Sequence, residues 1–124
     1  MKLLIVEDNV AMRRMIRALV GDLAEAVIEC GDGTEVLAAY AHAQFDSRDW
    51  VLMDVHLQTL DGLQATRALK AQWPDARVII VTGYNDAKLR AEADKAGACE
   101  YVLKEDLLAL RRLLAEPRAP SPQD

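Results

Sequence analysis

Acids, a hydroxyl and an ammonium recur in this chain at one kind of place, directly after a short apolar run. Glu7-Asp8 follows Leu3-Leu4-Ile5-Val6, and Asp54 follows Trp50-Val51-Leu52-Met53. Thr82 follows Val78-Ile79-Ile80-Val81, and Lys104 follows Tyr101-Val102-Leu103. An unbroken apolar run of that length reads as a strand covered on both faces. In an open parallel sheet the residues that end such strands share one edge, and ligands bind in the crevice outside it. Carboxylates gathered there repel one another, and their pKa values rise unless a counter-charge stands among them. Oxygen-only ligands of this kind suit Mg2+, which keeps several waters and often shares its coordination with a phosphate. The Lys104 ammonium and the Thr82 hydroxyl suit an anionic phosphoryl group. Asp54 is the natural nucleophile, and the constellation reads as a site that makes and holds a phosphoryl group on a carboxylate.

The rest of the chain must bring those strand ends together. Asn9 offers an N-cap for a first helix, with Met12, Met15, Ile16 and Leu19 on its inner face and Arg13, Arg14 and Arg17 outward. Ala26 to Cys30 is shorter and more polar, as an edge strand should be. Gly31-Asp32-Gly33 turns the chain, and Thr34 caps a second helix to about His42. Asp61-Gly62 opens a third helix bearing Leu63, Thr66 and Leu69, which Trp73-Pro74 stops. A fourth, roughly Asp86 to Lys95, is alanine-rich and should pack weakly; Gly97 ends it. Leu107, Leu108, Leu110, Leu113 and Leu114 give a last helix a wide apolar stripe, mostly core but broad enough for a dimer or partner face. Five strands alternating with five helices predict an α/β domain with a mostly parallel sheet and helices on both faces.

Composition narrows the classes. The 124 residues suit one domain, and a net charge of -5 argues against nucleic-acid binding by this domain itself. Cys30 and Cys99 form no metal-ligand spacing and read as two small buried thiols rather than a disulfide. No window is long enough for a membrane span, and the apolar run after Lys2 is too short for a secretory signal, so the chain reads as cytoplasmic with no membrane contact. Residues 116–124 are proline-rich and read as a disordered tail or the start of a linker, leaving 1–115 as the domain.

On Glu7-Asp8, Asp54 with Asp61-Gly62 downstream, Thr82-Gly83 and Tyr101-Val102-Leu103-Lys104, the sequence resembles the receiver domains of two-component response regulators, from Leu3 to about Leu114. Any one of these is weak alone: an acid pair is usually a solvated turn, Asp61 a helix cap, Lys104 a surface charge. Four in the right order on the right strands are specific. The resemblance implies a flavodoxin-like (βα)5 three-layer sandwich around a parallel five-stranded sheet of order 2-1-3-4-5. It implies that Asp54 accepts a phosphoryl group from a phosphohistidine on a sensor histidine kinase or histidine phosphotransfer protein. Asp8, Asp54 and the backbone carbonyl of His56 would bind Mg2+ directly, with Glu7 assisting through water. Lys104 and Thr82 would contact the phosphoryl group, and Tyr101 would turn inward as Thr82 moves. The face of the fourth helix, fifth strand and fifth helix would then pass the change to a downstream partner, a missing output domain or a second copy. Such a protein catalyses only its own phosphorylation and dephosphorylation.

The chain departs from the family at Gln58 and Glu105, where proline is common. Gln58 implies a less rigid loop, and Glu105 removes the usual ground for a cis peptide after Lys104. Glu105-Asp106 reads instead as an acidic start to the last helix. His56 and Tyr84 sit two residues beyond Asp54 and Thr82, where bulky rings would shield an acyl phosphate from water. Two rival classes, an aspartyl-phosphate phosphotransferase and an interaction module or flavin carrier, have features against them. An aspartyl-phosphate phosphotransferase carries a second acid two residues after its nucleophile, and here that residue is His56. An unphosphorylated interaction module would be expected to lose an acid or the lysine, whereas a flavin carrier would want a glycine- and hydroxyl-rich first loop in place of Glu7-Asp8-Asn9-Val10.

Overall fold

A computed structural model of the chain describes residues 1–57 and 59–115. The expectations for Gln58 and for the proline-rich stretch 116–124 lie outside those residues. The element order is β1 (Lys2–Val6), α1 (Val10–Val20), β2 (Ala26–Cys30), α2 (Val36–His42), β3 (Trp50–Met53), α3 (Gly62–Gln72), β4 (Arg77–Thr82), α4 (Ala87–Ala96), β5 (Glu100–Leu103) and α5 (Leu107–Ala115). All four neighbouring strand pairs are parallel, and the five strands lie in the order β2-β1-β3-β4-β5. This is the flavodoxin-like order that the sequence implied.

Period-two alternation along the inner strands sorts their side chains onto two faces. Leu3, Ile5, Leu52, Ile79 and Val81 face one core with Ile16 and Val20 of α1 and Leu107, Leu110 and Leu114 of α5. Leu4, Val6, Val51, Met53, Val78 and Ile80 face the other, with residues of α2, α3 and α4. Two cores with the sheet between them make three layers. The outer strands β2 and β5 are less buried than the inner three, as their more polar sequences require.

Local chemistry starts and stops the helices. The Asn9, Asp61 and Asp86 side chains accept from Met12 N, Gln64 N, and Lys88 N with Leu89 N, satisfying N–H groups that lack intrahelical partners. Gly97 ends α4 at φ 104, a left-handed conformation that costs a side-chain-bearing residue. The weakly packing character expected of α4 matches its burial, which is limited to Ala93 and Ala96. Among the described residues no helix is long and apolar enough to cross a membrane.

Several expectations need correction. Thr34 does not cap α2: it lies in a 3-10 turn over Gly33–Glu35, and its hydroxyl pairs with Asp32. Met15 is 54% exposed, because α1 meets the sheet through Ile16 and Val20, and a residue one step before Ile16 is rotated by about 100° off that line. Arg13 is not a purely solvated residue; it pairs with Glu29 and bonds the Glu7 carbonyl. Cys30 is buried, and burial pushes its thiol up to about 11, but Cys99 is exposed in the turn before β5; both are free thiols. Glu105 and Asp106 do not open α5 directly but form, with Lys104, a 3-10 turn ahead of it. No described peptide bond is cis, including Lys104–Glu105.

Candidate functional site

The strand ends converge because the ladders run one residue past their strands. Glu7 N donates to Cys30 O and Asp54 N to Val6 O, each at 3.0 Å. Val6 pairs with Met53 in the sheet, so Glu7 and Asp54 emerge as neighbours at its C-terminal edge. Both are buried, Glu7 at 1% and Asp54 at 5% exposure. Carboxylates so placed require compensation.

Lys104 supplies it. Its Nζ lies 3.0 Å from Asp54 Oδ2 and 2.7 Å from Glu7 Oε1. Burial alone would lower the Lys104 pKa, but hydrogen bonding and the charges of Glu7 and Asp54 raise it above the ordinary lysine value. The second Asp54 oxygen, Oδ1, accepts from His56 N at 3.4 Å, and Glu7 Oε2 accepts from Asn9 N at 3.1 Å. Glu7 Oε1 is ion-paired with the Lys104 ammonium but accepts no hydrogen bond, so this buried oxygen has charge compensation only. Asp8 is half-buried. Its carboxyl is raised above the ordinary value, first by burial and then by the neighbouring Glu7 carboxylate, with Lys104 acting in the other direction.

Glu7, Asp8 and Asp54 each offer a carboxylate oxygen, and these atoms all lie within 4.8 Å of one another. The Lys104 ammonium pairs with two of them, Glu7 and Asp54. The buried Glu7 Oε1, held only by the lysine charge, and an all-oxygen donor set suit a hard divalent ion. The group could therefore hold a metal ion.

The other expected residues stand around this cluster rather than in it. Thr82 is fully buried at the end of β4, and its hydroxyl oxygen accepts from Tyr84 N at 3.4 Å. The Tyr101 hydroxyl donates to the Tyr84 carbonyl, and burial raises the phenol pKa. The exposed His56 ring lies against the Tyr84 ring, centroids 4.4 Å apart. Among the described residues, neither the Thr82 nor the Tyr101 side chain hydrogen-bonds Glu7, Asp8, Asp54 or Lys104.

Two further features hold the loop after Asp54, and neither was assigned a site role from sequence. Gly62 N donates to Val55 O at 2.8 Å, and a Cβ on Gly62 would overlap the Asp54 carbonyl oxygen. Asp32 Oδ1 accepts from Thr59 N and Leu60 N, each at 3.4 Å, and a Cβ on Gly33 would overlap Leu60 O. The signals are Asp61-Gly62, which the sequence offers as a helix start and as part of the family motif, and Gly31-Asp32-Gly33, which it offers as a turn.

Comparison with known proteins agrees with this architecture. A family model described as the response regulator receiver domain matches residues 3–115. The chain is 33% identical over 105 residues to the chemotaxis protein CheY of Listeria monocytogenes, covering 84% of this chain and 86% of that protein. It is 34% identical over 107 residues to the transcriptional regulatory protein YhcZ of Bacillus subtilis, covering 85% of this chain but only 49% of that protein, so it spans about half of that relative's length. Among solved structures, the REC domain of AraT, a response regulator from Geobacillus stearothermophilus, superposes with a TM-score of 0.78 at 28% identity, covering 92% of this chain and 89% of the other. A two-component response regulator of the LuxR family from Aurantimonas sp. gives a TM-score of 0.78 at 29% identity over 98% of this chain and 90% of the other. With its parallel sheet, its acid cluster at the strand ends and a family match over almost all the described residues, this chain belongs to the response regulator receiver domains.

Proposed function

We propose that the chain takes a phosphoryl group onto the Asp54 carboxylate from a phosphohistidine of a sensor histidine kinase or histidine phosphotransfer protein. The main support is the Asp54 carboxylate itself: buried at the sheet edge, bonded by Lys104 and His56 N, and flanked by two further acids. A carboxylate oxygen attacks phosphorus, the new O–P bond forms as the N–P bond breaks, and the imidazole leaves with the electron pair. Lys104 would stabilise the charge on the phosphoryl oxygens, and the Thr82 hydroxyl would donate to one of them. Asp8, Asp54 and the His56 backbone carbonyl would hold Mg2+ directly, with Glu7 assisting through water. Bound there, Mg2+ would offset the charge of the carboxylates and of the incoming phosphoryl group.

Signalling follows from the same residues. Movement of Thr82 towards the phosphoryl group would free space that Tyr101 occupies, altering the α4-β5-α5 face. That face would meet a downstream protein, an attached output domain or a second copy of the chain. Reversal needs only water: its attack on phosphorus releases inorganic phosphate and returns the Asp54 carboxylate. The chain would thus be a phosphorylated switch rather than an enzyme acting on other molecules.

The test is incubation with a small acyl phosphate and Mg2+, followed by intact mass. One phosphoryl adduct is expected in the parent chain and none in Asp54→Asn. No adduct in the parent would favour an unphosphorylated interaction module.

A further inference from the structure

We infer that Arg90 is a positioning residue, holding Tyr101 against the loop between β4 and α4 and so setting the ring pair beside Asp54. No part of the proposed chemistry uses Arg90. It lies in the first turns of α4, exposed to solvent, yet it makes specific contacts in two directions. Its guanidinium carbon stands 4.4 Å from the centroid of the Tyr101 ring. Its Nε and Nη2 both point at Asn85 Oδ1, at 3.4 and 3.3 Å. A cation over an aromatic face favours one ring orientation, and a planar guanidinium does this better than an ammonium.

The ring held in this way has work to do at its other end. Tyr101 donates its hydroxyl to the carbonyl of Tyr84, next in sequence to Asn85. Arg90 therefore grips the loop twice, directly at Asn85 and through Tyr101 at Tyr84. The Tyr84 ring in turn packs on His56, whose backbone N–H donates to Asp54 Oδ1. Every link from Arg90 to the acceptor carboxylate is a contact between packed or bonded groups, which is the physical form that coupling between separated sites takes. With Arg90 in place the Tyr84 and His56 rings are held together. Without it Tyr101 has fewer restraints, its bond to Tyr84 breaks more often, and water reaches Asp54 more easily.

The kinetic part of the test rests on the proposed phosphoacceptor function; the spectroscopic part does not. The full chain is labelled with 3-fluorotyrosine at its three tyrosines, Tyr40, Tyr84 and Tyr101, and followed by fluorine NMR. Arg90→Ala is expected to shift the Tyr101 and Tyr84 signals together and leave Tyr40 in place, with Arg90→Lys between the two. A Tyr84 signal that stays put while Tyr101 moves would overturn the inference, as would an equal disturbance of all three. Loaded from a small acyl phosphate, Arg90→Ala should lose its phosphoryl group about threefold faster than the parent, and add nothing in a Tyr101→Ala background. Unchanged or additive rates would also overturn it. A chain that accepts no phosphoryl group would defeat the proposed phosphoacceptor function alone, and the fluorine signals would still decide the coupling.

Discussion

Gly62 lies against the carbonyl of Asp54 so closely that a Cβ would overlap its oxygen and stand 2.8 Å from its carbon. The first residue of α3 thus sets how near that helix approaches the candidate phosphoacceptor, and the loop between them closes through Gly62 N and Val55 O. A methyl group there must push backbone, not a flexible side-chain end. Gly62→Ala is expected to cost about 3 kcal/mol in urea unfolding and to impair acceptance at Asp54. Gly21→Ala is the contrast. Its nearest neighbours are side-chain carbons at 3.5 and 3.8 Å, and its φ is -62. That substitution should be neutral or gain about 0.5 kcal/mol.

The acid cluster should make the chain's stability depend on pH and on divalent cations. Burial, and then Glu7, hold the Asp8 carboxyl above its ordinary value of 3.8 in the folded chain. Between that value and the raised one, the folded chain binds more protons than the unfolded chain, so this group's contribution falls as pH rises through the window. Asp8→Asn should therefore melt higher than the parent at neutral pH in chelator. Adding excess Mg2+ should raise the melting temperature of the parent and move Asp8→Asn much less. A parent chain that melts at the same temperature in chelator and in Mg2+ would remove the metal from the proposal.

Asp32 and Asp61 are both acids in loops, but they hold different things. Asp61 caps α3 through Gln64 N at 2.8 Å, and Asp61→Ala should cost about 1 kcal/mol. Asp32 reaches across the sheet edge to Thr59 N and Leu60 N. Slight burial would raise its pKa, but hydrogen bonds from Thr59, Leu60 and Thr34 outweigh this and hold it below the ordinary value. Its stabilisation is therefore present above the usual carboxylate range and lost as pH falls through the depressed pKa. Asp32→Ala is expected to speed amide exchange at Thr59 and Leu60 while leaving the α3 amides protected. Uniform exchange changes along α3 would contradict that division.

The paired rings of His56 and Tyr84 predict a slow loss of phosphate from the proposed adduct on Asp54. Aromatic surface beside the site would keep water from an acyl phosphate formed on Asp54. After the donor is removed, the adduct on the parent chain should persist for minutes rather than seconds, followed by intact mass. Tyr84→Ala should shorten that lifetime, and a parent half-life of seconds would dispose of the shielding argument.

The parts of this protein that rest on local pattern were legible in its sequence. Continuous apolar runs marked the three inner strands, and the residues after them marked the edge where Glu7, Asp8, Asp54 and Lys104 meet. Asn9, Asp61 and Gly97 announced helix ends through the backbone groups that side chains or a left-handed turn must satisfy. Side-chain direction was less secure. Met15 lay within reach of the helical stripe and proved exposed, because the packing of α1 on the sheet, not the spacing of its apolar residues, decides which edge of the stripe is covered.

What only the tertiary structure decided is which distant residues meet. Nothing in the order of residues says that Lys104 touches Glu7 as well as Asp54, that Asp32 holds the amides of Thr59 and Leu60, or that Arg90 lies on Tyr101. Secondary structure follows from dihedral preferences and from burial repeated every two residues or every helical turn, which a short window of sequence contains. A contact between side chains remote in sequence depends on strand register, crossover and packing depth together, and those are fixed only when both cores close on the sheet.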